Sequence, residues 1–240
     1  MNYSKVQIET SDHALEGAIC IPDVPKGGII FVPGGGLESL LDDFREWQEH
    51  LYGKGYASLS FDFPGVGGSG GALGETSLNS RLHSLEDALA YFRDKTELSE
   101  IIICGRSMGG PLALRTAMAR HLKRVILLFP AAFPADAYNK NFGPAFTAEL
   151  RKENGWVNSP DFKKAEDFEG RILTVYGDQD NVIPKGIQDR YLSIVKQKGV
   201  AILLPGVGHN KHIWGADPEN TRRRYELLAI IDKFIESESF

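Results

Sequence analysis

A chain of 240 residues with 42% hydrophobic side chains suits one ordinary globular domain, or one domain carrying an insertion, and buries roughly 70% of its unfolded surface without needing staples. A net charge of −5 gives no basic footprint for nucleic acid or an anionic membrane surface, so neither partner is expected. The two cysteines, Cys20 and Cys104, both fall in apolar strand-like runs. Buried free thiols in a reducing compartment are expected rather than a disulfide. The N-terminus has no basic–apolar–cleavage pattern and no apolar run approaches membrane-spanning length, which predicts a cytoplasmic protein.

Residues 5–10 alternate Val6, Ile8 and Thr10 with polar neighbours, and an extended pattern resumes at residues 14–21 after Ser11-Asp12-His13. This is a leading hairpin. Residues 28–32 form a short apolar strand that stops at Pro33-Gly34-Gly35-Gly36. Leu37, Leu40, Phe44, Trp47 and Leu51 then recur at helical spacing, one face for a sheet, before Gly53 and Gly55 close the helix. The strand at 56–61 ends in a glycine-rich loop, Asp62 to Gly70. Leu78, Leu82, Leu85, Leu89 and Phe92 mark a second amphipathic helix. His50 and His83 fall off these stripes and are expected at the surface.

At residues 101–110, Ile-Ile-Ile-Cys-Gly-Arg-Ser-Met-Gly-Gly, a β-branched run enters Gly105-Arg106-Ser107-Met108-Gly109 and a helix-competent segment follows. This is a G-x-S-x-G nucleophile elbow in its setting of strand, sharp turn and helix. The glycines leave room where a side chain would strike the neighbouring strand or helix, and the serine hydroxyl is exposed at the sheet's edge. Pro111 falls in the first helical turn, where no backbone hydrogen bond is lost.

A strand at 125–129 follows, and then the rhythm breaks. From about 131 to 168, prolines, glycines and aromatics without a clean strand read as an inserted cap of short helices on a single domain spanning 1–240. Phe142, Phe146 and Trp156 are expected to shape a pocket, or else to pack the insertion's own small core. Alternation returns with a strand at 171–176, a helix at about 185–198, a strand at 200–204 and a C-terminal helix carrying Leu227, Ile231, Phe234 and Ile235. Strands alternating with amphipathic helices predict an α/β fold with a mostly parallel sheet covered on both faces, its ligands outside the strands' carboxyl ends.

A serine is a weak nucleophile at neutral pH and needs a base, which in turn needs an orienting partner. After the elbow, Asp180 lies in Gly177-Asp178-Gln179-Asp180 and His209 in Gly206-Val207-Gly208-His209, each in a loop directly after a predicted strand. All three side chains would then share one rim of the sheet. Asp178 is the rival for the acid and His212 the rival for the base; motif context favours Asp180 and His209.

The chain resembles the α/β-hydrolase superfamily from about residue 5 to 240. The resemblance rests on the elbow, the Gly-x-x-Asp-x-x-Ile-Pro segment at 177–184, the Gly-x-Gly-His segment at 206–209 and the Asp62-x-x-Gly-x-Gly-x-Ser loop. Within the superfamily it looks like the small esterases and acyl-peptidase-like hydrolases with a modest cap. The resemblance implies an eight-stranded sheet, with Ser107 as nucleophile, His209 as general base and then acid, and Asp180 as the orienting carboxylate. The oxyanion donors would be the backbone N–H of Met108 and one from the loop after the strand at 28–32. Where relatives often have His-Gly, this chain has Pro33-Gly34, and Pro33 cannot donate. Gly35 is the best candidate, with Gly34 and Gly36 open.

No Cys or His pair has metal-ligand spacing, and no P-loop lysine or dinucleotide fingerprint occurs, so neither metal nor cofactor is expected. The expected activity is hydrolysis of a carboxylic ester of a small-molecule acyl substrate through an acyl-enzyme. Thioesters, amides or peptides and C–C bonds are alternatives on the same machinery. A silent hydrolase-like binding protein is the rival from another class.

Overall fold

The computed structural model describes residues 3–36, 38–39, 41–209, 213 and 217–237. The hairpin is β1 (Tyr3–Glu9) and β2 (Ala14–Cys20); β3 (Gly28–Val32), β4 (Ala57–Phe61), β5 (Ile101–Arg106), β6 (Arg124–Leu128), β7 (Arg171–Gly177) and β8 (Val200–Leu204) follow. They make one eight-stranded sheet in the order β1-β2-β4-β3-β5-β6-β7-β8. The β1–β2 and β2–β4 pairs are antiparallel and the other five parallel. Strands β3, β4 and β5 are buried along their whole length, as a sheet covered on both faces requires.

From β3 the chain steps to β4 on one side, then crosses back to β5 and onwards to β8 on the other. Right-handed crossovers therefore place α1 (Leu41–Gly53) on one face and α2 (Leu78–Thr96), α3 (Gly109–Ala119) and α6 (Lys185–Lys196) on the opposite one. The reversal between β3 and β5 opens a crevice at the carboxyl ends of these two strands, where sheets of this kind bind ligands. The loop carrying Gly34 and Gly35 and the turn carrying Ser107 both lie there.

On α1, Phe44, Trp47 and Leu51 are buried as the periodicity predicts; Leu37 and Leu40, read from sequence as part of this helix, lie outside the described residues. Phe31 stacks on Phe44 at 4.7 Å and meets Trp47 edge-on. His50, expected at the surface, is half-buried and also tied to α7 (Pro218–Glu236): its Nε2 lies 3.0 Å from Asp232. Arg224 of α7 also bonds Glu46 of α1, so the two helices share one face. Both cysteines are free and buried. No helix among the described residues is long and apolar enough to cross a membrane.

Residues between β6 and β7 form a 3₁₀ turn (Ala135–Asn139) and two short helices, α4 (Pro144–Leu150) and α5 (Pro160–Asp167). One carboxylate organises this segment. Asp161 is fully buried and accepts hydrogen bonds from Phe133 N–H (2.9 Å), Tyr138 O–H (2.6 Å), Ser159 O–H (3.2 Å) and the Arg115 guanidinium on α3 (2.8 Å). A buried charge satisfied this fully fastens the segment to the main body; cut from Arg115, the same carboxylate would be strongly destabilising.

Candidate active site

The β5–α3 turn is held in a conformation that only its glycines permit. A Cβ on Gly105 would sit 2.3 Å from Gly109 O, and one on Gly109 would sit 2.5 Å from the carbonyls of Val32 and Pro33. Ser107 has φ +52°, the left-handed region, which costs a non-glycine residue roughly 1–2 kcal/mol. The strain persists because the backbone on either side is clamped. Ser107 N–H donates to Leu128 O at 2.8 Å, and Ser107 O accepts from Gly110 N–H (3.0 Å) and Ala131 N–H (3.1 Å).

The structure brings three of the sequence-derived candidates into a line. Ser107 Oγ lies 3.0 Å from His209 Nε2, and His209 Nδ1 lies 2.8 Å from Asp180 Oδ2. Asp180 and His209 are 8% and 6% exposed, so the contact between these two is shielded from water. The other carboxylate oxygen, Asp180 Oδ1, accepts from the backbone N–H of Val182 (2.9 Å) and Ile183 (3.0 Å). Burial works to raise the Asp180 pKa, but the hydrogen bonds from His209, Ile183 and Val182 outweigh it and hold the carboxyl below its ordinary value. An ionised carboxylate only accepts, so the imidazole proton sits on Nδ1 and Nε2 offers its lone pair to the serine hydroxyl.

Asp178 does something else. It is exposed, and its Oδ1 accepts from Gly206 N–H at 2.7 Å, bracing the turn that leads to His209. His212 lies outside the described residues. Among the described residues no group of three His, Cys, Asp or Glu side chains is placed to hold a metal ion.

The glycine loop after β3 packs directly against the turn. A Cβ on Gly34 would lie 3.3 Å from Ser107 Cβ, and one on Gly35 would lie 3.0 Å from Met108 Cε. Gly34, Gly35, Ser107, Met108 and His209 line one cavity of about 450 Å³. Gly36 does not line it. No hydrogen bond within the protein occupies the N–H of Gly34, Gly35 or Met108 among the described residues.

Apart from Arg106, the rest of the cavity wall is apolar, with Ala131, Phe133, Leu150, Trp156, Ile183 and Ile187 among it. Of the three insertion aromatics expected at a pocket, only Trp156 lines this one. Phe142 and Phe146 meet edge-on at 4.8 Å, and Phe146 packs on Phe133 at 6.0 Å, so they build the insertion's own core. Sequence reading missed Phe129, taken as the last residue of a strand. It too has φ +52°, its N–H donates to Val175 O at 2.7 Å, and its ring meets the His209 ring edge-on at 5.7 Å. Nothing local marks an aromatic residue for the left-handed region; only the strands on either side enforce it.

A family profile described as the alpha/beta hydrolase fold matches residues 28–138. Est1E from Butyrivibrio proteoclasticus, solved with ferulic acid bound, superposes with a TM-score of 0.76 at 19% identity, covering 97% of this chain and all (100%) of that one. A thermophilic esterase from Thermogutta terrifontis, solved with butyrate bound, superposes with a TM-score of 0.73 at 18% identity, covering 97% and 93%. In sequence, the mitochondrial palmitoyl-protein thioesterase of Homo sapiens is 33% identical over 147 residues, 55% of this chain and 44% of that protein. An uncharacterized protein of Mycobacterium tuberculosis is 24% identical over 180 residues, 75% of this chain and 60% of its own length. The chain thus spans about half the length of the curated relatives it matches.

Proposed function

We propose that this chain, a member of the α/β-hydrolase superfamily, is a serine hydrolase that cleaves a carboxylic ester of an apolar acid through an acyl-enzyme. The observation that carries the reading is the Ser107–His209–Asp180 line at 3.0 and 2.8 Å, with His209 and Asp180 buried and Ser107 opening on a mostly apolar cavity. Ser107 Oγ attacks the ester carbonyl while its proton passes to His209 Nε2, and Asp180 stabilises the resulting imidazolium. The carbonyl oxygen, now negative, is received by the N–H groups of Met108 and Gly35 at the positive end of α3. His209 returns the proton to the leaving alcohol, and a water activated by the same imidazole then releases the acid.

The segment at about 131–168 acts as a small cap that shapes the acyl pocket through Phe133, Leu150 and Trp156. At about 450 Å³ the cavity falls in the range of small-molecule sites and suits an aromatic or medium-chain acid. Cytoplasmic residence is part of the same proposal.

A fluorophosphonate probe tests the nucleophile. Stoichiometric labelling at Ser107, abolished in Ser107→Ala, is expected, together with turnover of p-nitrophenyl esters that falls by about 10³-fold or more in that variant. An unlabelled wild-type protein would sink the reading.

One observation favours a second reading, a thioesterase: the human relative named for that activity is 33% identical over 147 residues. Rates on an acyl ester and on the matching acyl thioester, each corrected for its uncatalysed rate, separate the two.

A further inference from the structure

Arg81 is 1% exposed, yet among the described residues it forms no ion pair with a carboxylate. Its guanidinium is held between the rings of Phe63 (4.7 Å) and Phe142 (4.4 Å), and its Nη1 donates to Met108 Sδ at 3.2 Å. Nε and Nη2 are buried without a hydrogen-bond partner. Burial lowers its pKa to about 10, so it remains a cation at neutral pH. It is also the fourth residue of α2, close to the helix end where the backbone dipole favours anions. Two aromatic faces and a thioether recover only part of the cost of burying such a charge.

The position explains why the cost is borne. Met108 is the residue after the proposed nucleophile, and its methyl group packs on Gly35, so its side chain stands between Arg81 and the Gly35 backbone. We propose that Arg81 is a positioning residue whose buried charge, held behind Met108, favours the anionic tetrahedral intermediate between the Met108 and Gly35 N–H groups. The inference rests on the reading of Ser107 as the nucleophile. A neutral ester in the ground state gains little from this charge, whereas the oxyanion gains much, so the effect belongs in kcat rather than KM. A unit charge one methionine side chain away, about 7 Å, at an effective dielectric of about 20 changes the rate roughly 10- to 50-fold.

The test compares Arg81→Met, which fills the space without the charge, with Arg81→Lys, which keeps the charge. Each is assayed for p-nitrophenyl butyrate turnover, for inhibition by n-butylboronic acid, which forms an anionic tetrahedral adduct on a serine, and for thermal unfolding. For Arg81→Met, kcat should fall roughly 10- to 50-fold with KM within about twofold, and boronate affinity should weaken by a similar factor. Its Tm should hold or rise, because an unpaired buried charge is gone. Arg81→Lys should recover most of both losses. If Arg81→Met does not fold, Arg81→Gln is judged by the same two ratios. A folded neutral variant with kcat within about twofold of wild type, or one that loses kcat while keeping boronate affinity, or Arg81→Lys as impaired as the neutral variant, overturns the inference. Fluorophosphonate labelling of wild-type Ser107 runs alongside. If it fails, the nucleophile reading falls and takes this inference with it; if it succeeds while the Arg81 variants behave as wild type, only the role of Arg81 is lost.

Discussion

Replacing Asp180 by asparagine tests the site's geometry at one atom. Asp180 Oδ1 accepts from two backbone donors, Val182 N–H and Ile183 N–H, so the amide oxygen of an asparagine must take that side. Its NH₂ group then faces His209 Nδ1, where the carboxylate Oδ2 now accepts at 2.8 Å. A donor facing Nδ1 forces the imidazole proton onto Nε2, and Nε2 can no longer accept the Ser107 proton. The fold survives, since both backbone hydrogen bonds are kept, and stability should change by only about 1 kcal/mol. The rate should not survive: a wrong tautomer in an otherwise intact triad costs about 10⁴-fold. Asp178→Asn keeps its acceptor for Gly206 N–H, and kcat/KM should move by no more than a few-fold. Steady-state kinetics on p-nitrophenyl butyrate, with thermal melts to confirm folding, check both variants. Near wild-type turnover in Asp180→Asn, or collapse in Asp178→Asn instead, would refute the tautomer argument. The pH behaviour follows from the same carboxylate. Its pKa is held below the ordinary value, so the stabilisation it contributes is complete above the unfolded value of about 3.9 and is lost as pH falls through the lower folded value.

Trp156→Ala should re-rank p-nitrophenyl esters of different acyl length, because Trp156 lines the cavity. Phe146→Ala should leave the ranking intact and cost about 3–5 kcal/mol in urea unfolding, as expected for a buried aromatic. Gly109→Ala drives a methyl group into two backbone carbonyls at 2.5 Å and should destabilise by about 3 kcal/mol or more, or prevent folding, in the same assay. Iodoacetamide at neutral pH should modify neither thiol in the native protein and leave activity unchanged. Burial pushes Cys20 up to about 11 and Cys104 higher still, so mass spectrometry should find alkylation only after denaturation.

The elements were legible in the sequence because each rests on local chemistry. The β5–α3 turn needs small residues two positions either side of Ser107. The strands of a sheet covered on both faces read as unbroken apolar runs, and α6 and α7 repeat their apolar residues at helical spacing. The chain order of Ser107, Asp180 and His209, each directly after a strand, already placed all three on one rim. What the sequence could not supply was direction and distance between parts far apart in the chain. Asp178 and Asp180 stand in the same polar turn, and only the packing of that turn against the 205–209 loop aims one at His209 Nδ1 and the other at Gly206 N–H. Phe142 and Trp156 look alike as isolated aromatics in an irregular segment. The buried Asp161 network, drawing donors from three separate stretches, decides which part of that segment faces the cavity. Arg81 carried no signal at all: a charged residue beside an apolar stripe is ordinarily solvated. Only the tertiary structure, by closing Phe63, Phe142 and Met108 around it, takes that charge out of water and places it behind the turn where negative charge would form.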